Sequence, residues 1–573
     1  MESKDDCFAE YERWLNHTRD DVLAELKDMD DAAIEDAFYR ELSFGTGGLR
    51  GSIGPGTNRM NVYVVAKASQ GLVDYLLKKE GGTTSVVVGY DSRIKSDVFA
   101  RTVACVFAAN GICVHMFQDI FPVPGVSYAV RYLRASAGVM ITASHNSSKY
   151  NGYKVYGADG CQITTEVARD VYACIENLDV FNDVKQIEFD KGVEAGLIRY
   201  IDSDLVDSYL DEVRAQCFLY GDEINRDVAI VYSPLNGTGL EPVCKVLSEV
   251  GFTNVTVVEE QRNPDGRFPT CPKPNPEESE AMELGLSYCR KMGADLLIAT
   301  DPDCDRVGIA VREHDSYRLL TANETGILLL DYICSQKKKH GKLPRNGVFL
   351  KTIVTNDLAE KIALHYGVKT INTLTGFKYI GEQIGSLERE GCESDFVFGF
   401  EESFGYLTGT YVRDKDGVNA TVVICEMFAY YKTRGISLIE KLEDVYHRFG
   451  YCLNTQYSYE FPGSTGMHRM AEIMTLFRKG VEIIDVYRVS RTDDFSQGLY
   501  NLPKSNVIKY SFGDMDVSGS LVVRPSGTEP KLKIYISVLA DNQIYAERVE
   551  RRINQRVCDL INNEESIIGV RKR

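Results

Sequence analysis

A chain of 573 residues, 44% hydrophobic and 26% charged, has length for roughly three to five domains of about 100–200 residues each, and no Pro/Ser/Gln-rich tract marks it as disordered. Its 83 acidic and 65 basic side chains leave a formal charge of −18, which argues against nucleic-acid or membrane-surface partners, because both are polyanions that require a basic face. An anionic substrate therefore needs a positive site that is local.

The start, MESKDDCFAEYERW, is acidic where a signal peptide is basic and then apolar, and no run reaches about 18 apolar residues. A cytoplasmic protein is expected. Fifteen cysteines form an odd set without a C-x-x-C pair, and several, such as Cys105, Cys244 and Cys425, fall in helix-like apolar patterns. Free thiols fit this better than disulfides or a zinc site.

In chain order, three stretches share one pattern: a β-branched run, a polar loop, an amphipathic segment of helical period ending at glycine, and a second apolar run. The first is SVVVGYDSR, SDVFARTVACVFAANG to Gly111, then ICVHMF; the second is VAIVYSPLNGTG, LEPVCKVLSEVG to Gly251, then FTNVTVV; the third is GVFLKTIVTN, DLAEKIALHYG to Gly367, then VKTINTL. Each predicts strand, glycine-capped helix, strand, the unit from which parallel sheets with helices on both faces are built. Spacings above a hundred residues between copies exclude a short solenoid repeat, leaving a triplicated α/β domain or chance recurrence of a common motif. After about residue 448 the pattern changes to YCLNTQYSYEF, SNVIKYSF, GSLVVRPSG and LKIYISVLA as strands, with helices at MHRMAEIMTLFRKG and NQIYAERVERRINQRV. The expected architecture is α/β: three similar domains with mixed, mostly parallel sheets (1–205, 206–318 and 319–447) and a C-terminal α+β domain (448–573).

In open α/β sheets ligands gather beyond the carboxyl ends of strands, and the chemically suggestive loops follow strands. TASHNSSKYNGYKVYG, residues 142–157, comes after the apolar run AGVMI. Ser144 beside His145 fits acyl transfer, phosphoryl transfer or plain loop capping, but the G-x-S-x-G of a serine hydrolase is missing. Lys154 in the same loop offers a positive charge or an acid/base group, or is an ordinary surface lysine; His145 is equally readable as a satisfied loop histidine.

ADLLIATDPDCDRVGIAV sets Asp301, Asp303 and Asp305 in a tight turn between two apolar runs. If all three are ionised and held about 4 Å apart, each pair repels by roughly 4 kcal/mol at an effective dielectric of 20, so something positive should bind them, the alternative being a solvated acidic turn. Oxygen-only ligands select a hard cation, Mg²⁺ above all. An EF-hand is excluded, since Arg306 stands where glycine is needed and Arg312 where the bidentate glutamate belongs. A metal elsewhere in the chain makes phosphoryl transfer the more natural use of Ser144. FGFEESFGY holds Glu401, Glu402 and Ser403, acceptors suited to sugar hydroxyls or a solvated turn. LVVRPSGTEPKLKIYISV places Arg524, Ser526, Gly527 and Thr528 between strands, where a guanidinium fork, hydroxyls and backbone N–H groups form a phosphate cradle, or simply a turn.

Taken together and in this order, these loops resemble the α-D-phosphohexomutase superfamily of phosphoglucomutases and phosphomannomutases, from GTGGLRG near residue 45 to RPSGTEPKLKIY near 535. The sequence is most similar to the long bacterial-type branch that includes animal phosphopentomutase and glucose-1,6-bisphosphate synthase. The resemblance implies four domains around a central cleft, with Ser144 carrying a phosphoryl group. Asp301, Asp303 and Asp305 would then hold one Mg²⁺ per chain, Arg306 would touch phosphate, and Glu401 and Ser403 would grip sugar hydroxyls. Arg524, Ser526, Gly527 and Thr528 would hold the phosphate not being transferred. Arg50, Lys154, Lys351, Lys415 and, in TGFK, Thr375, Gly376 and Lys378 sit where the family has cleft residues.

The sequence departs from many relatives at Ser147 and Ser148, where two prolines are common, and at Phe377 and Phe400. The implied reaction is reversible interconversion of α-D-glucose 1-phosphate and 6-phosphate, with glucose 1,6-bisphosphate as intermediate and activator. Alternatives are mannose- or pentose-phosphate activity, a metal phosphatase, or a non-catalytic phosphosugar-binding protein. Partners would be small sugar phosphates, with neither nucleic acid nor membrane, and the molecule a monomer or weak homodimer.

Overall fold

A computed structural model describes residues 4–45, 47–80, 85–461, 463–500, 502–525 and 531–562. Three short helices open the chain, Lys4–His17, Asp20–Lys27 and Asp31–Phe38. The third is capped by Asp30, whose carboxylate accepts from the Ala33 N–H at 2.8 Å. They form a satellite core around the chain's one tryptophan, Trp14, which is fully buried edge-on against Phe38, Tyr63 and Phe181.

The first sheet contains β1 (Leu49–Ser52), β2 (Ser85–Tyr90), β3 (Cys113–Met116), β4 (Ala137–Ile141), β5 (Tyr150–Gly157) and β6 (Ile198–Tyr200), in the order β1-β5-β4-β2-β3-β6. Strands β4, β2, β3 and β6 pair in parallel, and β5 and β1 add an antiparallel margin. Every residue of β4 is buried, as expected of a central strand covered on both faces.

The second sheet contains β7 (Ile230–Ser233), β8 (Val255–Val257), β9 (Leu296–Thr300), β10 (Val307–Glu313) and β11 (Ser316–Leu320), in the order β11-β10-β9-β7-β8. Its β7 pairs in parallel with β8 and β9, while β10 runs antiparallel to both β9 and β11. The third is ordered β13-β12-β14-β15, from β12 (Val348–Thr352), β13 (Lys369–Thr373), β14 (Phe396–Glu401) and β15 (Gly405–Leu407).

The last sheet comprises β16 (Tyr451–Glu460), β17 (Ile483–Ile484), β18 (Tyr487–Asp494), β19 (Ile508–Gly513), β20 (Ser518–Pro525) and β21 (Lys531–Ala540), in the order β16-β21-β20-β19-β18-β17. Its pairings are antiparallel. The helices Gly463–Arg478 and Gln543–Asn562 contribute to its core. The three α/β stretches and the β-rich C-terminal part are thus those expected, and Gly111, Gly251 and Gly367 each take the positive φ (77°, 93° and 75°) of a helix-terminating glycine.

The chain divides into two compact units: Met1–Ala322 with Ile380–Gly399 and Ser403–Thr433, and Asn323–Tyr379 with Phe400–Glu402 and Arg434–Arg573. All fifteen cysteines are free thiols. Among the described residues no helix is long and apolar enough to cross a membrane.

Candidate active site

Strands β2 and β4 are parallel neighbours, so the loops leaving their carboxyl ends lie side by side, and the Asp91 N–H donates to the Ile141 carbonyl at 3.1 Å. Ser144 lies in the loop after β4 with φ +51°, the left-handed region, which costs a residue other than glycine on the order of 1–2 kcal/mol. The conformation is held locally: the Ser144 N–H donates to Thr142 Oγ1 at 2.8 Å and the Asn146 N–H to the Ala143 carbonyl at 3.2 Å. The turn presents the buried Ser144 hydroxyl to the second sheet's loop, where Oγ donates to Asp301 Oδ2 at 2.7 Å. Oγ also lies 3.1 Å from His145 Nδ1.

The three aspartates occupy the β9–β10 turn, and the second strand–helix unit supports them from beside it. Thr238 donates to the Pro302 carbonyl through both its N–H (2.8 Å) and its hydroxyl (3.0 Å). Asp301, Asp303 and Asp305 are each at most 1% exposed, with an oxygen from each lying within 4.8 Å of the others. Asp301 Oδ1 accepts from the backbone N–H groups of Asp305 (3.1 Å) and Arg306 (3.0 Å), which fixes the turn.

The positive partners that the sequence demanded are partly internal. Lys154 donates to Asp303 Oδ2 at 2.8 Å and Asp305 Oδ2 at 3.3 Å, and Lys415 stands 2.9 Å from Asp305 Oδ2. The Arg306 Nε lies 4.0 and 3.9 Å from Asp301 and Asp305. Even so, Oδ1 of Asp303 and Oδ1 of Asp305 are buried without a hydrogen-bond partner among the described residues. Two orphaned carboxylate oxygens in an all-oxygen cluster are what a hard divalent cation would satisfy.

Burial, reinforced by Asp303 and Asp305, pushes the Asp301 carboxyl well above the usual range. For Asp305, burial is outweighed by Lys415, Lys154 and Arg306, and its carboxyl falls. Burial pulls Lys154 down, but Asp303 and Asp305 win and its ammonium is held more tightly than usual. His145 is driven far down by desolvation and then by Arg306 and Arg50, so its imidazole is neutral.

The Lys415 segment is fastened at both sides. Asp416 Oδ1 caps the helix Gly417–Thr433, accepting from Val418 and Asn419 N–H groups at 2.9 and 3.0 Å, and its carboxylate also accepts from the Tyr209 and Tyr411 hydroxyls. Burial lifts the Asp416 carboxyl to about 6 against those hydrogen bonds. Gly417 donates to the Cys304 carbonyl at 3.0 Å, and a Cβ there would stand 2.5 Å from that oxygen, so glycine is required. Tyr156 donates to Asp414 at 2.9 Å.

Of the remaining sequence candidates, exposed Arg50 donates to Asn146 Oδ1 at 3.2 Å, Arg306 to Glu277 at 2.8 Å, and Ser403 is half-buried, all in the first unit. In the second unit Glu401 is buried, which disfavours a solvated turn, and neighbouring Glu402 accepts from Thr352 at 2.7 Å and Thr355 at 3.2 Å. Gly376 has φ +115°, Thr375 Oγ1 is buried without a hydrogen-bond partner among the described residues, and Lys378 Nζ stands 4.8 Å from the Tyr379 ring centroid. Half-buried Arg524 is the penultimate residue of β20, and Ser526, Gly527 and Thr528 lie outside the described residues.

Lys351 departs from the expectation of a cleft residue. It is fully buried, its ammonium held at 3.1 Å by the Thr355 carbonyl, Asp357 and Glu360. A buried ammonium is tolerable only when paired, and this one has its charge matched inside the fold.

The sequence reading missed Arg93 and Thr142. Arg93 follows β2 as Ser144 follows β4, so the rule that ligands gather at carboxyl ends would have drawn attention to YDSR.

Residues 41–180, 207–314 and 321–449 match the descriptions "Phosphoglucomutase/phosphomannomutase, alpha/beta/alpha domain" I, II and III respectively. A phosphoglucomutase of Staphylococcus saprophyticus is 33% identical over 543 residues, covering 92% of this chain and 96% of that protein. One of Staphylococcus haemolyticus is 34% identical over 549 residues, covering 93% and 96%. The solved open form of the Paramecium phosphoprotein pp63/parafusin, a phosphoglucomutase, shares the fold at TM-score 0.69 and 18% identity, covering 91% of this chain and 95% of that one. The chain belongs to the phosphoglucomutase/phosphomannomutase family within the α-D-phosphohexomutase superfamily.

Proposed function

We propose that this protein is a phosphoglucomutase that interconverts α-D-glucose 1-phosphate and glucose 6-phosphate through phosphoserine at Ser144, with glucose 1,6-bisphosphate as intermediate and activator. One observation carries the reading: the Ser144 hydroxyl lies 2.7 Å from a carboxylate of a buried aspartate trio. Such a trio has no use in a simple loop cap.

Transfer between two hydroxyls of one sugar is geometrically awkward if direct, so Ser144 acts as a relay. The P–O bond to Ser144 breaks as a P–O bond to a sugar hydroxyl forms. The proton leaving that hydroxyl ends on Ser144 Oγ, which Asp301 Oδ2 then holds. The neutral Nδ1 of His145, 3.1 Å from Oγ, is placed to pass the proton. After the bisphosphate turns round, the same steps run in reverse on the other phosphate.

Asp301, Asp303 and Asp305 are the proposed ligands of one Mg²⁺, which when bound supplies charge neutralisation for the phosphoryl oxygens. Lys154, Lys415, Arg306 and Arg50 provide the local positive field for an anionic substrate. Glu401 and Ser403 are the proposed contacts for sugar hydroxyls, Thr375, Gly376 and Lys378 further substrate contacts, and Arg524 with Ser526, Gly527 and Thr528 the second phosphate cradle. We place the protein in the cytoplasm as a monomer or weak homodimer; an all-free set of cysteines fits a reducing compartment.

The test is intact-mass detection of one phosphate on Ser144 after exposure to glucose 1,6-bisphosphate, with a coupled assay on glucose, mannose and ribose 1-phosphates. Ser144→Ala is expected to take up no phosphate and to lose mutase turnover. Near-normal turnover by that variant refutes the relay, and preference for mannose or ribose phosphate overturns the substrate assignment.

A further inference from the structure

Arg93 is 3% exposed, and its guanidinium spans the whole Ser144 loop. One terminal nitrogen donates to the carbonyls of Ser147 and Tyr150, both at 3.0 Å; the other donates to the carbonyl of Ser144 at 2.5 Å and to that of Asn146. Nε faces Asp91 Oδ2 at 3.5 Å. Four main-chain oxygens of one turn are thereby gathered by a single planar cation.

The other side of Arg93 belongs to the part of the chain that supplies the aspartates. Its guanidinium carbon lies 5.0 Å from the centroid of the Phe268 ring, and its backbone bridges to Gly266. A Cβ at Gly266 would come within 2.4 Å of the Ile94 nitrogen, so the approach of the two loops depends on glycine there.

Building on the phosphoserine reading above, we propose that Arg93 is the positioning residue of the transfer. By binding the Ser144 carbonyl it holds that residue at positive φ and so sets the reach of its hydroxyl to Asp301, while Phe268 against its guanidinium and Gly266 against its backbone tie Arg93 to the metal-loop domain. Arg93 touches neither substrate nor the reacting atoms. Its effect passes through the backbone of Ser144. A lysine in its place keeps the charge but offers three donors on one nitrogen instead of a planar fork, and cannot gather four carbonyls.

The experiment measures single-turnover uptake of phosphate onto Ser144 from glucose 1,6-bisphosphate, by intact mass, in wild type and Arg93→Lys, alongside kcat, KM and thermal unfolding. Misplacement of a reacting group by about 1 Å costs on the order of 100-fold. Arg93→Lys is expected to fold, to slow uptake and kcat together by about that factor, and to leave KM within a few-fold. A role confined to stability would lower the unfolding temperature and leave uptake by the folded protein unchanged.

Asp91→Asn keeps an oxygen for the Arg93 N–H and the Ser96 hydroxyl, replaces the counter-charge at Nε with an amide donor, and serves as a second variant should Arg93→Lys not fold. It is expected to slow uptake about 10-fold, as an order of magnitude between none and the full 100-fold effect. Wild-type uptake in either folded variant overturns the assignment. If wild-type protein itself takes up no phosphate on Ser144, the failure lies with the relay and not with Arg93.

Discussion

Asp301 shows how a single residue trades stability against chemistry. Its carboxyl is raised because burial and two neighbouring aspartates oppose its charge. In the metal-free protein its ionisation therefore opposes folding, a cost that is complete above the raised folded value and is relieved as pH falls from there toward the ordinary aspartate value of 3.8. Asp301→Asn keeps an oxygen for the N–H groups of Asp305 and Arg306 and turns an amide toward Ser144 Oγ, which can accept from it. The variant is expected to be more stable than wild type without metal, by about 1 kcal/mol, read as a higher midpoint in denaturant at pH 7. Its turnover is expected to drop at least about 100-fold, the scale of losing one preorganised electrostatic group. A variant no more stable than wild type would mean that Lys154, Lys415 and Arg306 already neutralise the trio.

At the scale of elements, the last turn of the helix Phe377–Arg389 anchors the segment that leads to Lys415. Glu388 accepts from Arg131 at 2.8 Å and Arg413 at 2.6 Å, while the Arg413 N–H donates to Ser127 Oγ at 2.9 Å. The hydrogen bond from Arg131, then the charges of Arg413 and Arg131 working against burial, bring the Glu388 carboxyl to about 2. Because the folded value is depressed, the stabilisation is complete above the ordinary glutamate value and is lost as pH falls from about 4.5 to about 2. Melting curves of wild type and Glu388→Gln should therefore differ at pH 6 and converge toward pH 2–3. A constant difference across that range would assign the effect of the substitution to packing instead of charge.

These ties show which elements a sequence can reveal. The three strand–helix–strand units were legible because apolar periodicity and a terminal glycine are local signals, and DPDCDR was legible because three carboxylates in five residues pose an electrostatic problem by themselves. Strand β18, YRVSRTDD, was not anticipated, because it carries four charges in eight residues and buries only Tyr487 and Asp493. The opening helices were missed because only their acidity was considered, while their helical packing rests on Trp14 meeting Phe38 and Phe181. Lys351 and Arg93 could not be sorted from sequence: each is a lone cation just after or at the end of a strand. Whether it faces a ligand, a carboxylate or a ring of carbonyls is decided by residues far along the chain.

The whole molecule adds a constraint that no single site contains. A protein of charge −18 repels a doubly charged sugar phosphate at long range, while the cationic groups around the aspartate trio attract it at short range. Salt separates the two, because the Debye length shrinks from about 30 Å at 0.01 M to about 8 Å at 0.15 M and about 3 Å at 1 M. Raising ionic strength from 0.01 to 0.15 M should screen the distant acidic surface first, leaving Arg50, Arg306, Lys154 and Lys415 largely unscreened near the substrate. Above that, the local attraction should fail as well. The expected result is a kcat/KM that rises with salt, peaks near 0.1–0.2 M and then declines, measured with a chloride salt at fixed free Mg²⁺ and saturating bisphosphate. A monotonic fall from the lowest salt would mean that the local positive field already dominates at a distance of some 30 Å, and that the acidic surface has no part in substrate capture.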